Sequence, residues 1–102
     1  MTLPVTYLFV PGNRPERFDK AFNAGADTTI LDLEDAVSMD DKESARDSVR
    51  QWIDSRRDAK ERERIAVRMN DGSTPWFEND LRMLAAVNVR YVMHIVEENN
   101  TP

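Results

Sequence analysis

The chain has 102 residues, enough for one domain built on a single core. Its 14 basic and 19 acidic residues leave a net charge of −5, which excludes a broad positive field for nucleic acid or an anionic membrane, so any anionic ligand must be held by a local cluster of Arg and Lys. The absence of cysteine excludes disulfides, thiolate metal sites and a Cys nucleophile; with no signal-peptide pattern at Met1 to Pro4 and no apolar run of spanning length, a cytoplasmic location is expected.

The first strand is predicted over residues 5–10, Val-Thr-Tyr-Leu-Phe-Val, and stops at Pro11-Gly12. Asn13 is placed to cap the helix that follows, with Pro15 in its first turn. Phe18, Ala21 and Phe22 then give that helix a core face, and Gly25 stops it. Arg14, Arg17 and Lys20 lie around its beginning, where one reading is an anion site, although spacing alone favours a solvated face pairing with Glu16 and Asp19.

The next strand, residues 29–34, opens with β-branched and aliphatic residues and runs into Asp32, Glu34 and Asp35. Strand alternation puts Asp32 and Glu34 on one side and Leu31 and Leu33 on the other. Acids at the carboxyl end of a parallel strand stand where α/β folds place ligands and metals, but Asp35 and its neighbours serve equally as a loop opening or helix cap. Asp40 with Glu43 resembles a capping box for a second helix, whose apolar stripe is Ala45, Val49, Trp52 and Ile53. Interleaved charges from Asp54 to Arg64 read as an exposed helix end and turn.

A third strand is predicted over residues 65–70, with Arg68 as the one cation in an apolar run. Such an arginine is costly unless it is paired or binds an anion. Asp32 or Glu34 on the neighbouring strand would serve as partner, and a paired guanidinium still has donors to spare for a ligand. Thr74 and Pro75 are placed to start a third helix with Phe77, Leu81, Leu84 and Ala85 inward, and Trp76 at the rim. A fourth strand is predicted over residues 89–96 and runs into a polar tail. The order of elements implies an α/β fold with parallel strands and helical crossovers. The last strand has no helix after it, so part of the sheet would lack cover.

Four segments carry a resemblance: residues 8–18 (Leu-Phe-Val-Pro-Gly-Asn-Arg-Pro-Glu-Arg-Phe), residues 31–37 (Leu-Asp-Leu-Glu-Asp-Ala-Val), residues 67–70 (Val-Arg-Met-Asn) and residues 74–81 at the start of the third helix. Together they closely resemble the HpcH/HpaI aldolase and citrate lyase beta-subunit family, which includes malyl-CoA and citramalyl-CoA lyases. The resemblance implies a TIM barrel, usually a homo-oligomer, of which these (βα) units are the first half in a single partial domain over residues 1–102. It also implies cleavage of a 3-hydroxy acid or its CoA thioester with Mg²⁺. Arg68 is implied to grip the substrate oxygens, with Glu34 and Asp35 near the metal as outer contacts that orient Arg68. Phe9, Arg14 and Lys20 match positions that lie along CoA in the acyl-CoA members.

The family's direct metal ligands come from later strands, so none is expected among these residues. The fourth strand of the family usually ends in Leu-Pro-Lys-x-Glu; here His94 to Glu98 lacks that proline and lysine, and His94 reads as a structural strand histidine. Four strands do not close a barrel of eight. The chain therefore looks like the amino-terminal half of a family member. The alternative expectation is a non-catalytic half-barrel that covers its open edges by pairing with a copy of itself. A flavodoxin-like phosphate-binding domain has no Gly-rich loop to support it.

Overall fold

The computed structural model describes residues 5–93. Four strands, β1 (Tyr7–Pro11), β2 (Thr28–Asp32), β3 (Ile65–Met69) and β4 (Arg90–Met93), form one sheet in the order β1-β2-β3-β4, each neighbouring pair parallel. A short 3₁₀ turn (Pro15–Arg17) and α1 (Phe18–Asn23) link β1 to β2; α2 (Lys42–Asp54) and α3 (Ala59–Glu63) link β2 to β3; α4 (Phe77–Val87) leads to β4. These are successive parallel βα units, the architecture expected from the alternation of apolar runs and helical stripes.

Strand alternation divides the sheet into two unlike faces. On one, Val10, Leu31, Val67 and Met69 pack against Phe18 and Phe22 of α1, Val49 and Ile53 of α2, and Leu84 and Val87 of α4, all buried. Each such large apolar side chain contributes about 1.5–3 kcal/mol on burial. The other face carries Phe9, Ile30, Ala66 and Arg68, and its outer strands leave Tyr7, Phe9 and Val92 half exposed. Helices thus insulate one side, and Arg68 stands on the other at the carboxyl end of its strand.

Several expected boundaries shift. β1 begins at Tyr7 because Thr6 is occupied in a mutual grip with Asp27, whose Oδ2 accepts from Thr6 N–H at 2.8 Å while Thr6 Oγ1 accepts from Asp27 N–H at 3.0 Å. β2 ends at Asp32, two residues before the expected end, because the Asp32 carboxylate accepts the N–H groups of Glu34 (2.9 Å) and Ala36 (3.1 Å) and folds the chain into a turn. The strand alternation expected to align Asp32 with Glu34 therefore does not extend to Glu34. β3 ends at Met69, and β4 begins at Arg90. His94 and the rest of the fourth predicted strand lie outside the described residues.

Helix starts also differ. Asn13 does not cap; its Nδ2 donates to Asp41 at 3.0 Å, and Arg14 precedes the 3₁₀ turn without a side-chain cap. No Asp40–Glu43 capping box forms, because a 3₁₀ turn (Met39–Asp41) leads directly into α2 and supplies backbone acceptors instead. Thr74 closes the preceding turn by donating its hydroxyl to Asp71 C=O at 2.7 Å, and α4 starts only at Phe77. Its buried side is Asp80, Met83, Leu84 and Val87; Leu81 and Ala85, expected inside, face out. The charged stretch after α2 contains α3, capped by Asp58, which accepts from Lys60 N–H at 2.8 Å. Arg62 of α3 donates to the carbonyls of Ile53, Arg56 and Val87, which ties the charged segment to the fold.

Candidate functional site

The site is built where β2 and β3 end. Parallel register places Arg68 directly beside Asp32. Arg68 Nε donates to Asp32 Oδ1 at 2.9 Å and Nη2 to Oδ2 at 2.7 Å, a two-pronged pair. The Asp32 side chain is 2% exposed and that of Arg68 20%, so the pair is sunk with the guanidinium toward solvent. Burial alone would raise the Asp32 pKa, but the hydrogen bonds from Arg68 and from the Glu34 and Ala36 N–H groups outweigh it and hold the carboxyl below its ordinary value. The bond to Asp32, against the opposing effect of burial, raises the Arg68 pKa further, so the guanidinium stays charged.

Gly12 closes the back of this corner. Its N–H donates to the Asp32 carbonyl at 2.7 Å, and a Cβ there would stand 2.8 Å from that oxygen and 3.0 Å from the Leu33 side chain. Only glycine lets β1 approach the end of β2 so closely.

The turn after β2 brings Glu34 Oε1 to 3.6 Å from Arg68 Nε and Asp35 Oδ2 to 3.9 Å from Arg68 Nη2. The Phe9 ring lies under the guanidinium, 4.9 Å from its centre. Arg68, Glu34, Asp35 and Phe9 are therefore brought together. Phe9 also borders a hollow of about 350 Å³ beside β1, which Arg17 and Lys20 rim. Arg14 is exposed after β1 and does not line that hollow.

Three residues with a part here were not singled out as site residues from sequence. Asp32 was weighed with Glu34 and Asp35 as an acid at the strand end and as a neutralising partner of Arg68, but was given no site role, yet it is the main contact of Arg68. Lys42, 6% exposed, donates from Nζ to the carbonyls of Leu33 (2.8 Å) and Glu34 (2.7 Å). Asp80 is fully buried and accepts from Asn70 N–H (3.0 Å), Asn70 Nδ2 (2.6 Å) and Arg46 Nε (2.8 Å), which fixes the end of β3 just past Arg68. A signal existed for both charges: Lys42 shares helical spacing with Ala45 and Val49, and Asp80 with Phe77, Leu84 and Val87.

Among the described residues no three acidic or histidine side chains gather to hold a metal ion. Both Asp32 oxygens are taken by Arg68 and backbone N–H groups, so this corner does not itself form an Mg²⁺ ligand set. What it offers is a fixed guanidinium. Two of its five N–H groups go to Asp32, leaving Nη1 and one Nη2 proton outside that pair.

Residues 6–98 match the family profile described as HpcH/HpaI aldolase/citrate lyase. The chain belongs to this family. Citrate lyase subunit beta of Leuconostoc mesenteroides subsp. cremoris is 38% identical over 84 residues, which cover 82% of this chain and 27% of that protein. An L-malyl-CoA/beta-methylmalyl-CoA lyase of Cereibacter sphaeroides is 39% identical over 74 residues, 72% of this chain and 23% of the relative. The crystal structure of CitE from Mycobacterium tuberculosis in complex with magnesium, acetoacetate and coenzyme A superposes with a TM-score of 0.63 at 47% identity, covering 78% of this chain and 27% of that one. The chain thus spans about a quarter of the length of these family members. No helix among the described residues is long and apolar enough to cross a membrane.

Proposed function

We propose that this chain supplies the oxygen-gripping part of a carbon–carbon lyase site that cleaves a 3-hydroxy acid or its CoA thioester. The observation that carries this reading is the Asp32–Arg68 fork, a cation held in a set direction at the carboxyl end of the sheet with donors left over. In the cleavage, a base removes the proton of the 3-hydroxyl and that oxygen becomes a carbonyl. The bond between C2 and C3 breaks, and its electron pair passes into the neighbouring carboxyl or thioester group as an enolate.

Negative charge grows on the enolate oxygen as the bond opens. A guanidinium already oriented by Asp32 meets that charge without reorganising, which is how a preorganised donor lowers a barrier. Glu34 and Asp35 limit the directions in which Arg68 can swing. Phe9 and Lys20, at the hollow beside β1, suit the apolar and phosphate portions of a CoA arm; Arg14, outside that hollow, is proposed for the CoA path from the family resemblance alone. Mg²⁺ is proposed as cofactor of the whole enzyme; the described residues provide no ligand set for it and no step here depends on it.

The test is turnover of a malyl-CoA-type substrate by the protein and its Arg68→Ala variant. Loss of one such donor costs about 10²–10³ in kcat. A variant with unchanged kcat/KM would contradict the assignment.

A further inference from the structure

Lys42 has no role in the chemistry just described, yet its placement is unusual. It opens α2 on the same buried stripe as Ala45, Val49 and Ile53, and is itself buried at the start of the helix. Nζ donates to Leu33 C=O and Glu34 C=O, at 2.8 and 2.7 Å, and sits 5.4 Å from the centre of the Trp76 ring. Burial lowers the Lys42 pKa, an effect that the charges of Asp32, Asp80, Glu34 and Asp35 oppose.

The two carbonyls belong to the turn whose N–H groups, at Glu34 and Ala36, are already held by Asp32. This turn is therefore gripped on its donor side by a carboxylate and on its acceptor side by an ammonium. Trp76 lies in the connection between β3 and α4, so the same ammonium spans the loops that follow β2 and β3. Burying an ammonium for scaffolding alone is a poor exchange, since an apolar side chain of similar volume often serves stability as well.

We propose that Lys42 is a positioning residue: by clamping the carbonyls of Leu33 and Glu34 against the Trp76 loop, it keeps Asp32 seated on both nitrogens of Arg68. The step from that geometry to turnover rests on the lyase reading above; the geometry itself does not.

The experiment follows the Arg68 Nε–H by ¹⁵N NMR, because that proton is the one donated to Asp32 Oδ1. In Lys42→Met its exchange with solvent is expected to rise at least about tenfold, the scale of losing hydrogen bonds to a charged group, while buried amides of β3 such as Val67 keep their protection. The sequence contains no cysteine, so Lys42→Cys introduces a single thiol that can be alkylated in denaturant before refolding. Aminoethylation, which rebuilds the ammonium, should restore slow exchange; ethylation, which rebuilds only the volume, should not. If the methionine variant does not fold, Trp76→Leu tests the same clamp and should raise the exchange rate about two- to threefold.

Unchanged exchange in the folded variant tested, or equal rescue by ethylation, overturns the proposal. Faster exchange with unaltered turnover of the malyl-CoA-type substrate would uphold the clamp and refute its link to catalysis. Faster exchange in a protein that turns over no such substrate would uphold the clamp and refute the lyase reading, whereas normal exchange alongside an Arg68→Ala variant that has lost turnover would do the reverse.

Discussion

Asp32→Asn changes one oxygen to an amide nitrogen at the most constrained point of the site. The native carboxylate is 2% exposed and accepts two hydrogen bonds from Arg68 and two from backbone N–H groups. Removing one partner of a fully buried ion pair costs about 3–5 kcal/mol. Arg68 keeps a fifth of its side-chain surface in water, and Glu34 stays 3.6 Å away, so solvent screening and a substitute partner bring the expected loss to about 2–3 kcal/mol. At a urea slope of about 1 kcal/mol per molar for a chain of this size, the unfolding midpoint falls by about 2–3 M. The pH dependence has a definite sign. Because the folded Asp32 pKa lies below its unfolded value, the carboxylate's stabilisation is fully present above about pH 4 and fades as pH falls through the lower folded pKa. The gap between wild type and Asp32→Asn should be flat from neutral pH down to that point and then narrow. A midpoint shift under about 0.5 M, the size of a surface pair, or a gap that widens in acid, would refute the reasoning.

Gly12→Ala forces a methyl group to within 2.8 Å of the Asp32 carbonyl, so a loss of about 1–3 kcal/mol is expected in thermal unfolding, and an unshifted Tm would contradict the tight contact. Asp80→Ala strips three donors of a fully buried acceptor and should cost about 3–5 kcal/mol, with the Asn70 amide losing its exchange protection first. Lys20→Glu at the hollow beside β1 should raise KM for a CoA thioester about threefold to tenfold with kcat little changed; an unaltered KM would remove Lys20 from the CoA path.

The strands and the parallel order were legible because short β-branched runs bounded by Gly, Pro and Asn have few other uses. Phe18 and Phe22, and Ala45, Val49 and Ile53, followed from helical spacing alone and are buried as expected. The face of α4 did not follow. Apolar residues were assigned inward, which turned Leu81 and Ala85 toward the core; Asp80 occupies that side because Asn70 and Arg46 give its carboxylate three bonds, and those partners are 10 and 34 residues away. α3 was hidden for a related reason. Its sequence is charged throughout, and it is anchored by Arg62 to carbonyls on three other segments. At the site, Arg68 stood out as a cation in an apolar strand, and Glu34 and Asp35 as neighbouring acids. Asp32 was undervalued because a buried carboxylate on a strand reads as mere compensation, whereas here it both aims Arg68 and bends the chain that carries Glu34 and Asp35. Lys42 was missed because its partners are backbone carbonyls, which leave no trace in residue identity.

The central claim is that a guanidinium fork, not simply a positive charge, receives the enolate. Arg68→Lys keeps the charge but cannot bridge Asp32 on two nitrogens and still present donors to a ligand. Calorimetric titration with oxalate, a planar mimic of the enolate, in the presence of Mg²⁺ tests this most directly. The lysine variant should bind at least about tenfold more weakly than wild type, the worth of a charged hydrogen bond. Equal affinities would contradict the account.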